Sequence, residues 1–508
     1  MFSFISRRLL AGLGTLLVST FAMYLLVSAS IRPFEDLEQS TAANKAQLIA
    51  ERRELLDLDT PVIIRYFKWL GDFVTGDLGV GWRSGQSVSN LLHGAVLSTI
   101  QLVAAATVLA IIFGVMVGIV SALRQYSTFD YLTIFVSFVL YSLPAFWVAV
   151  LLKQWGAIGF NDFLKDPSNS PVVIGVAGAL MGLLWMLAVG GNARRRAMTF
   201  GIAFVATAGA MLYLQLSNWW LKPNLGPLII LVTGTALAFA ITALTSGLKN
   251  RRALGASLTT VVLGLALYYP LQSFFRSVAF NWWIVLGLAV LAVVVGIAVG
   301  FLWGGPDKGI SARAAGITAF LVAGMIFADK VMSVWPAYMA APAINGRPIA
   351  TIGSSTPNLG GNFWVQTLYT YTHLLLPTLA LVLIQFAGYT RYSRSSMLEV
   401  MSQDYIRTAR AKGLPEREVV MRHGFRNTLI PLATIVPIDV ITLLGGAIIT
   451  EKVFARPGMG TLFLRGLDGG EIDVVMAYLV IVAALAIIAN IVADLIYAAL
   501  DPRIRVNA

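Results

Sequence analysis

The sequence predicts an all-α polytopic membrane protein that crosses the bilayer about 12 times and keeps its N- and C-termini in the cytoplasm. Three observations carry this prediction. The first is composition: 57% of the 508 residues are hydrophobic and only 12% are charged, with a mean hydropathy of +0.78. Soluble globular chains carry about 25% charged residues, so this chain has too little polar surface to cover a water-soluble body and the bilayer has to be its solvent. The second is the recurrence of apolar runs of spanning length almost to the end of the chain. The third is that basic residues gather in alternate loops, as cytoplasmic loops do.

The first run, Leu9 to Ser28, follows Arg7-Arg8. Ser28-Ala29-Ser30 would pass as a signal-peptidase site, but the run is longer than the roughly 7–15 residues of a signal core. It is taken as an uncleaved span, with residues 1–31 as the N-terminal segment. Residues 32–95 are polar, with Glu51-Arg52-Arg53-Glu54 and the turn Gly76-Asp77-Leu78-Gly79, and predict a small extracytoplasmic domain with two short helices around Asp59-Thr60-Pro61. Spans are then expected at Val96–Leu123, Phe129–Phe160, Pro171–Gly191, Ala197–Leu221, Gly226–Leu248, Ala253–Phe275, Trp282–Trp303 and Ala314–Trp335. Three more follow at Leu374–Tyr392, Leu429–Thr450 and Val474–Leu500. With the N-terminus inside, Arg124, Arg194–Arg196, Lys249–Arg252, Lys308–Arg313, Arg391–Arg426 and Arg503/Arg505 all fall inside too. The opposite loops are poorer in basic residues and carry interfacial Trp219 and Trp220.

A net charge of +12 does not indicate nucleic acid, because the basic residues form short clusters between apolar runs. Cysteine is absent, and His93, His373 and His423 lie on separate segments, so neither thiol chemistry nor a metal site is expected. The dipeptide Gly-Lys does not occur, so the chain holds no phosphate-binding loop of the Walker type. Glycines recur four apart, or nearly so, at Gly114/Gly118, Gly175/Gly178/Gly182 and Gly296/Gly300/Gly304, which marks close helix contacts. Ser217-Asn-Trp-Trp220 is echoed by Phe280-Asn-Trp-Trp283. The echo suggests three stacked hairpins that arose by duplication, although interfacial Trp recurs in any membrane protein.

The longest cytoplasmic connection, 391–428, is the most informative. Residues Gln403–Lys412 favour a short helix, with Gly413 as a left-handed cap. Pro415 then opens a second helix whose Glu416 and Glu418 suit a helix N-terminus. Small Ala409 and Ala411 lie among Arg407, Arg410 and Lys412, a pattern fitted to docking in a cleft on another protein. The run Arg407-Thr-Ala-Arg-Ala-Lys-Gly413 resembles the loop by which permeases of bacterial ABC importers engage their ATPases, in the form typical of the dipeptide/oligopeptide permease family, B-type subunit. The Glu-Ala-Ala of the general consensus would fall on Arg407, Thr408 and Ala409. Only the last Ala and Gly413 are kept, as is usual in the peptide branch. Leu443–Phe454, Arg456-Pro-Gly-Met-Gly460, Asp494 and Leu500–Arg505 resemble the same family, as do Gly76–Gly79, Thr99 and Ser142–Trp147.

The resemblance implies a type I importer core in residues 96–160 and 371–508. Residues 161–370 are then an insertion of about six extra transmembrane helices and an outer loop, with the hairpins in roughly Phe160–Trp335. It also implies a permease subunit of the bacterial inner membrane, with no enzymatic role of its own. Its expected partners are a second homologous permease, two ATPase subunits that hold ATP and Mg, an extracytoplasmic solute-binding protein and membrane lipid. No cofactor is expected on this chain. A short peptide is the expected solute, with nickel, glutathione or an oligosaccharide as alternatives. An ion-coupled secondary transporter or a membrane scaffold would fit the span count but not the basic loop. Seven residues, Arg407 to Gly413, are the expected ATPase-coupling set. Asp439, two residues after Pro437 in an apolar run, either lines the solute path or is bonded to the proline kink. Asp494 is expected to have a structural partner, and Asp329-Lys330 to snorkel toward an interface. The inserted hairpins are expected to form a peripheral bundle.

Overall fold

The structure, a computed structural model, describes residues 2–30, 33–38, 44–305 and 308–500. Arg503 and Arg505 lie outside the described residues, as does the side chain of Asp494. The first span is α1 (Phe2–Ser30), and α2 (Glu35–Glu38), α3 (Lys45–Leu55) and α4 (Val62–Thr75) form a small domain beyond it. Next come α5 (Val88–Leu123), α6 (Thr128–Ser142) and α7 (Ala145–Leu151), a π-helical stretch at Leu152–Gly159, and α8 (Phe160–Phe163). Residues 161–370, the expected insertion, hold α9 (Pro171–Val189), α10 (Ala193–Leu216), α11 (Gly226–Thr245), α12 (Arg251–Ala266), α13 (Tyr268–Ser277), α14 (Trp282–Trp303), α15 (Lys308–Ser333) and α16 (Trp335–Met339). The chain continues through α17 (Phe363–Met401), α18 (Asp404–Ala411), α19 (Glu416–Glu418) and a second π-helical stretch, Val419–Phe425. It ends in α20 (Arg426–Gly446), α21 (Ile448–Val453), α22 (Met459–Gly469) and α23 (Ile472–Leu500).

Among the described residues, 10 helices are long and apolar enough to cross a bilayer, or up to 12 if each of two bent pairs is one span. The expected single run Phe129–Phe160 is one such pair, bent by 100°. Pro144 is the cause: it forces Leu143 into extended backbone with ψ 131° and so ends α6. The run Ala253–Phe275 bends by 47° between α12 and α13. The expected span from Val96 reaches back to Val88.

In hydrocarbon an unmet backbone N–H is costly, so helix starts need polar caps. Ser87, Ser127, Ser170, Asn192, Asn250, Asn281 and Asn362 each accept a bond from the N–H three residues on. Each of these residues was available at a span boundary, and each fixes where its helix begins.

The core centres on α5 and α17. A Cβ placed on Gly114 would stand 2.7 Å from Tyr389 Cβ, and one on Gly118 would stand 2.5 Å from the Thr390 carbonyl. Leu102, Ala106, Ala110, Leu381 and Met397 complete the buried contact. In the inserted segment Gly178 and Gly182 face Phe204 and Phe200, while Gly296 and Gly300 meet Ala315 and Ala312. Gly175 faces open space and Gly304 sits in a turn against Lys308.

Three expectations for the insertion fail. The three hairpins do not form one stack: α9–α10 lies against α6, whereas α11, α12, α14 and α15 form a bundle that leans on α17. Trp364 and Leu368 of α17 belong to that bundle's core. Nor are the two Asn-Trp-Trp sequences equivalent. Asn218 adopts a left-handed turn (φ 52°) after α10, while Asn281 caps α14. Asp329 and Lys330 do not snorkel either. Asp329 is buried, and its Oδ1 accepts from the N–H groups of Leu225 (2.7 Å) and Gly226 (3.0 Å) at the start of α11. Its Oδ2 accepts from Tyr268 Oη (2.6 Å) and Gln272 Nε2 (3.2 Å). Lys330 is buried beside the Trp364 ring, 5.8 Å from its centroid.

Replacing Gly118 with Val should force α5 from α17 and cost about 1–3 kcal/mol by overpacking. Gly175→Ala, which meets nothing within 4 Å, should be neutral. Monodispersity after a heating series, read by size-exclusion chromatography, distinguishes the two.

Candidate functional site

The expected coupling set forms one compact helix and turn. Ile406 and Ala409 point inward and pack with Val419, Met401 and Leu414, so Ala409 holds α18 in place and is not offered to a partner. Arg407, Thr408, Arg410, Ala411, Lys412 and Gly413 are exposed. Gly413 has φ +75°, the left-handed geometry that β-branched residues avoid, and its N–H donates to the Arg410 carbonyl at 2.9 Å. Arg410 then grips Glu416 with two bonds, Nη2 to Oε1 at 2.6 Å and Nε to Oε2 at 3.0 Å. That pair closes the turn over Gly413 and Pro415, and the carboxylate strengthens the hold of the guanidinium on its proton.

The expected second helix does begin here, with Glu416 and Glu418 in its first turn, and it is continuous with the next span. Pro415 caps α19, which runs through the π-helical Val419–Phe425 into α20. The Tyr405 hydroxyl accepts from Asn427 Nδ2 at 3.0 Å, so α18 is hooked directly to α20. Arg417 reaches sideways to the α11–α12 turn, where a Cβ on Gly247 would lie 2.6 Å from its Nη1. The bundle of α11, α12, α14 and α15 therefore touches the start of the helix that leads into α20.

Two buried carboxylates fix the core on either side. Nearer the coupling segment, Asp130 Oδ1 accepts from Arg394 Nε (2.7 Å) and Oδ2 from Arg394 Nη2 (3.0 Å). Ser121 Oγ and the Tyr126 N–H add bonds of 2.5 and 3.0 Å. At the opposite end Glu451, 1% exposed, accepts from Thr99 Oγ1 (2.8 Å) and the Thr461 N–H (2.9 Å). Thr99 in turn accepts from the Met459 N–H at 2.8 Å. A side chain at Gly458 would overlap the Glu451 carboxylate. Arg456 is buried here and reaches Gln101 Oε1 at 3.5 Å. Burial pulls its pKa down, with the Glu451 charge opposing.

Asp439 is not brought to the coupling set. It sits half-buried on α20, about two turns before the helix end, beside the Tyr389 hydroxyl of α17. No hydrogen bond of normal geometry joins them, and among the described residues the buried Tyr389 Oη has no hydrogen-bond partner. The same is true of Thr378 Oγ1 and of Gln385 Oε1 and Nε2. Residues 378, 385 and 389 are seven and four apart and so share one face of α17. This polar stripe escaped sequence reading, although Gln385 stands alone among apolar residues and was its visible signal.

Arg394→Leu should leave Asp130 charged and unpaired and cost about 3–5 kcal/mol. Adding Asp130→Asn should restore much of that loss. Yield of monodisperse protein across the two single variants and the double variant checks the pairing.

A family described as binding-protein-dependent transport system inner membrane component matches residues 321–506. The oligopeptide transport system permease protein OppB of Mycobacterium tuberculosis (strain ATCC 25618 / H37Rv) is 35% identical over 228 residues, covering 43% of this chain and 68% of the relative. AppB of Bacillus subtilis (strain 168), also an oligopeptide transport system permease protein, is 46% identical over 132 residues, 26% of this chain and 42% of the relative. The dipeptide transport system permease protein DppB of Alkalihalophilus pseudofirmus is 24% identical over 508 residues, 99% of this chain and 100% of the relative. These matches, with the apolar helices and the braced basic turn, make the chain a multi-pass permease subunit of the dipeptide/oligopeptide permease family.

Proposed function

We propose that this chain forms half of a translocation path for short peptides in an ATP-driven importer. The observation that carries the reading is the coupling turn. Arg407 and Arg410 are displayed on an eight-residue helix, and Lys412 at its C-cap; the inner face of that helix is buried and its exit is locked by Gly413 and the Arg410–Glu416 pair. A short rigid helix of this kind suits a cleft on a cytoplasmic ATPase. The partners are two such ATPases carrying ATP and Mg, a second homologous permease and an extracytoplasmic binding protein. No covalent step falls to this chain. The basic loops put both termini and the 391–428 segment in the cytoplasm.

Closure of the ATPases would press on α18 and, through Tyr405–Asn427 and the π-helical link, shift α20 against α17. That contact holds Asp439 and faces the polar groups of Gln385 and Tyr389. Unpartnered polar atoms in a bilayer interior favour a polar guest, and a peptide offers an ammonium and amide groups. Relatives named for oligopeptide and dipeptide transport support the same solute class. The helices of the insertion serve as a bundle at the side of the core.

Gly413→Val should strain the turn by about 1–2 kcal/mol and uncouple ATP hydrolysis from uptake. Exchanging the pair, Arg410→Glu with Glu416→Arg, keeps the brace but alters the displayed charge. It should weaken ATPase association about tenfold or more. Co-purified ATPase and uptake in vesicles are the measurements, and normal values for both variants would overturn the assignment. Asp439→Asn should lower peptide uptake at matched expression if the charge meets the solute, and unchanged kinetics would remove Asp439 from the path.

A further inference from the structure

Beyond the bilayer, on the side away from the coupling turn, a polar cavity of about 230 Å³ lies between the small domain and the start of α23. One wall is α4, where Arg65, Trp69 and Asp72 follow at intervals of four and three residues and so share a face. Seven residues of helix set the Cα atoms of Arg65 and Asp72 about 10 Å apart along the axis, with Trp69 between them.

The cationic end is incompletely satisfied. Arg65 is 9% exposed, its Nη1 reaches the Leu56 carbonyl only at 3.4 Å, and among the described residues its buried Nε has no partner. The nearby Lys68 is engaged by Asp57 at 2.7 Å. At the other end Asp72, Asp77, Glu471 and Asp473 all line the cavity. Asp77 accepts from the Gly79 N–H and Glu471 from the Arg83 N–H, each at 2.9 Å. Among the described residues, Asp72 and Asp473 have neither a hydrogen-bond nor an ion-pair partner for their carboxylates. Among the same residues, no three acidic or histidine groups converge as a metal ion requires. The cation that fits is an ammonium, whose three N–H donors can be shared between separate carboxylates.

We infer that this cavity binds a small zwitterion of the amino-acid or dipeptide class, with its carboxylate on Arg65 and its ammonium between Asp72 and Asp473. An extended chain covers about 3.5 Å per residue, so the gap left by the two side chains accommodates one or two residues and no longer segment. The bound molecule would bridge α4 of the small domain to the first turn of α23. The inference does not depend on the transport reading, because none of these residues belongs to the coupling turn or lies near Asp439.

The test is equilibrium dialysis of labelled Ala-Ala with the full transport complex lacking its binding protein. Binding is expected, with N-acetyl-Ala-Ala and Ala-Ala-amide competing at least about tenfold less well. Arg65→Met should erase the preference for a free carboxylate and Asp72→Asn should weaken the preference for a free amine. Asp72 is exposed, so that variant will fold even if Arg65→Met does not. Asp439→Asn should leave this binding unchanged. The inference is overturned if Ala-Ala does not bind, if the blocked peptides compete equally, or if neither cavity variant matters. It is also overturned if glycerophosphoethanolamine displaces nothing but itself and binds where Ala-Ala does not, which would assign the cavity to a lipid headgroup.

Discussion

Everything in the core depends on how closely α5 can approach α17. In lipid the hydrophobic effect does not drive one apolar helix onto another, so association rests on packing and polar contacts. Gly114 and Gly118 remove the side chains that would hold the two backbones apart, and the Tyr389 and Ser393 turns fill the space. Packing alone would let such a pair slide. Asp130 of α6, bonded to both Ser121 of α5 and Arg394 of α17, fixes their register at one end, because a shift of one residue would leave a buried charge unmet, and at the other end the Glu451–Thr99 bond ties α5 to α21. The loops at both ends inherit their positions from those two anchors.

The Gly413 turn hangs from this frame. α18 joins the end of α17 through a short turn and is bonded to α20 through Tyr405, so it cannot tilt without moving the neighbouring spans. The link to α20 is π-helical, with a wider and less regular hydrogen-bond ladder than an α-helix. A displacement of α18 would therefore reach α20 at the place where the helix is least uniform. The insertion is in touch with the same region through Arg417 and Gly247 and with the outer half of α17 through Trp364, so it embraces the core at both levels.

Much of this architecture was legible in the residues. Span number followed from hydropathy and helix contacts from the glycine ladders, whereas the Ser and Asn caps that set the helix starts were not read from the sequence. The left-handed turn at Gly413 was visible because glycine between a basic helix and Pro415 leaves few other geometries. What escaped reading depends on partners distant in sequence. Asp329 looked like an interfacial charge because nothing nearby shows that it caps a helix 103 residues earlier. Ala409 looked like part of a docking face because its neighbour Val419 lies beyond the turn. The α17 stripe of Thr378, Gln385 and Tyr389 was hidden because a single glutamine in an apolar run does not reveal which way it faces. The repeated Asn-Trp-Trp misled for the converse reason, since identical residues served a turn in one place and a helix cap in the other.

The Asp329 cap also constrains the order of events on the ribosome. The two N–H groups at the start of α11 wait for a carboxylate made 103 and 104 residues later. At the usual rate of about 5–20 residues per second, that interval is about 5–20 s. During it α11 and α12 can enter the bilayer, but the helix start must be held by water or by the insertion machinery. The bundle is sealed only when α15 arrives, so a nascent chain stalled between Trp282 and Ala328 would carry an open, uncapped hairpin.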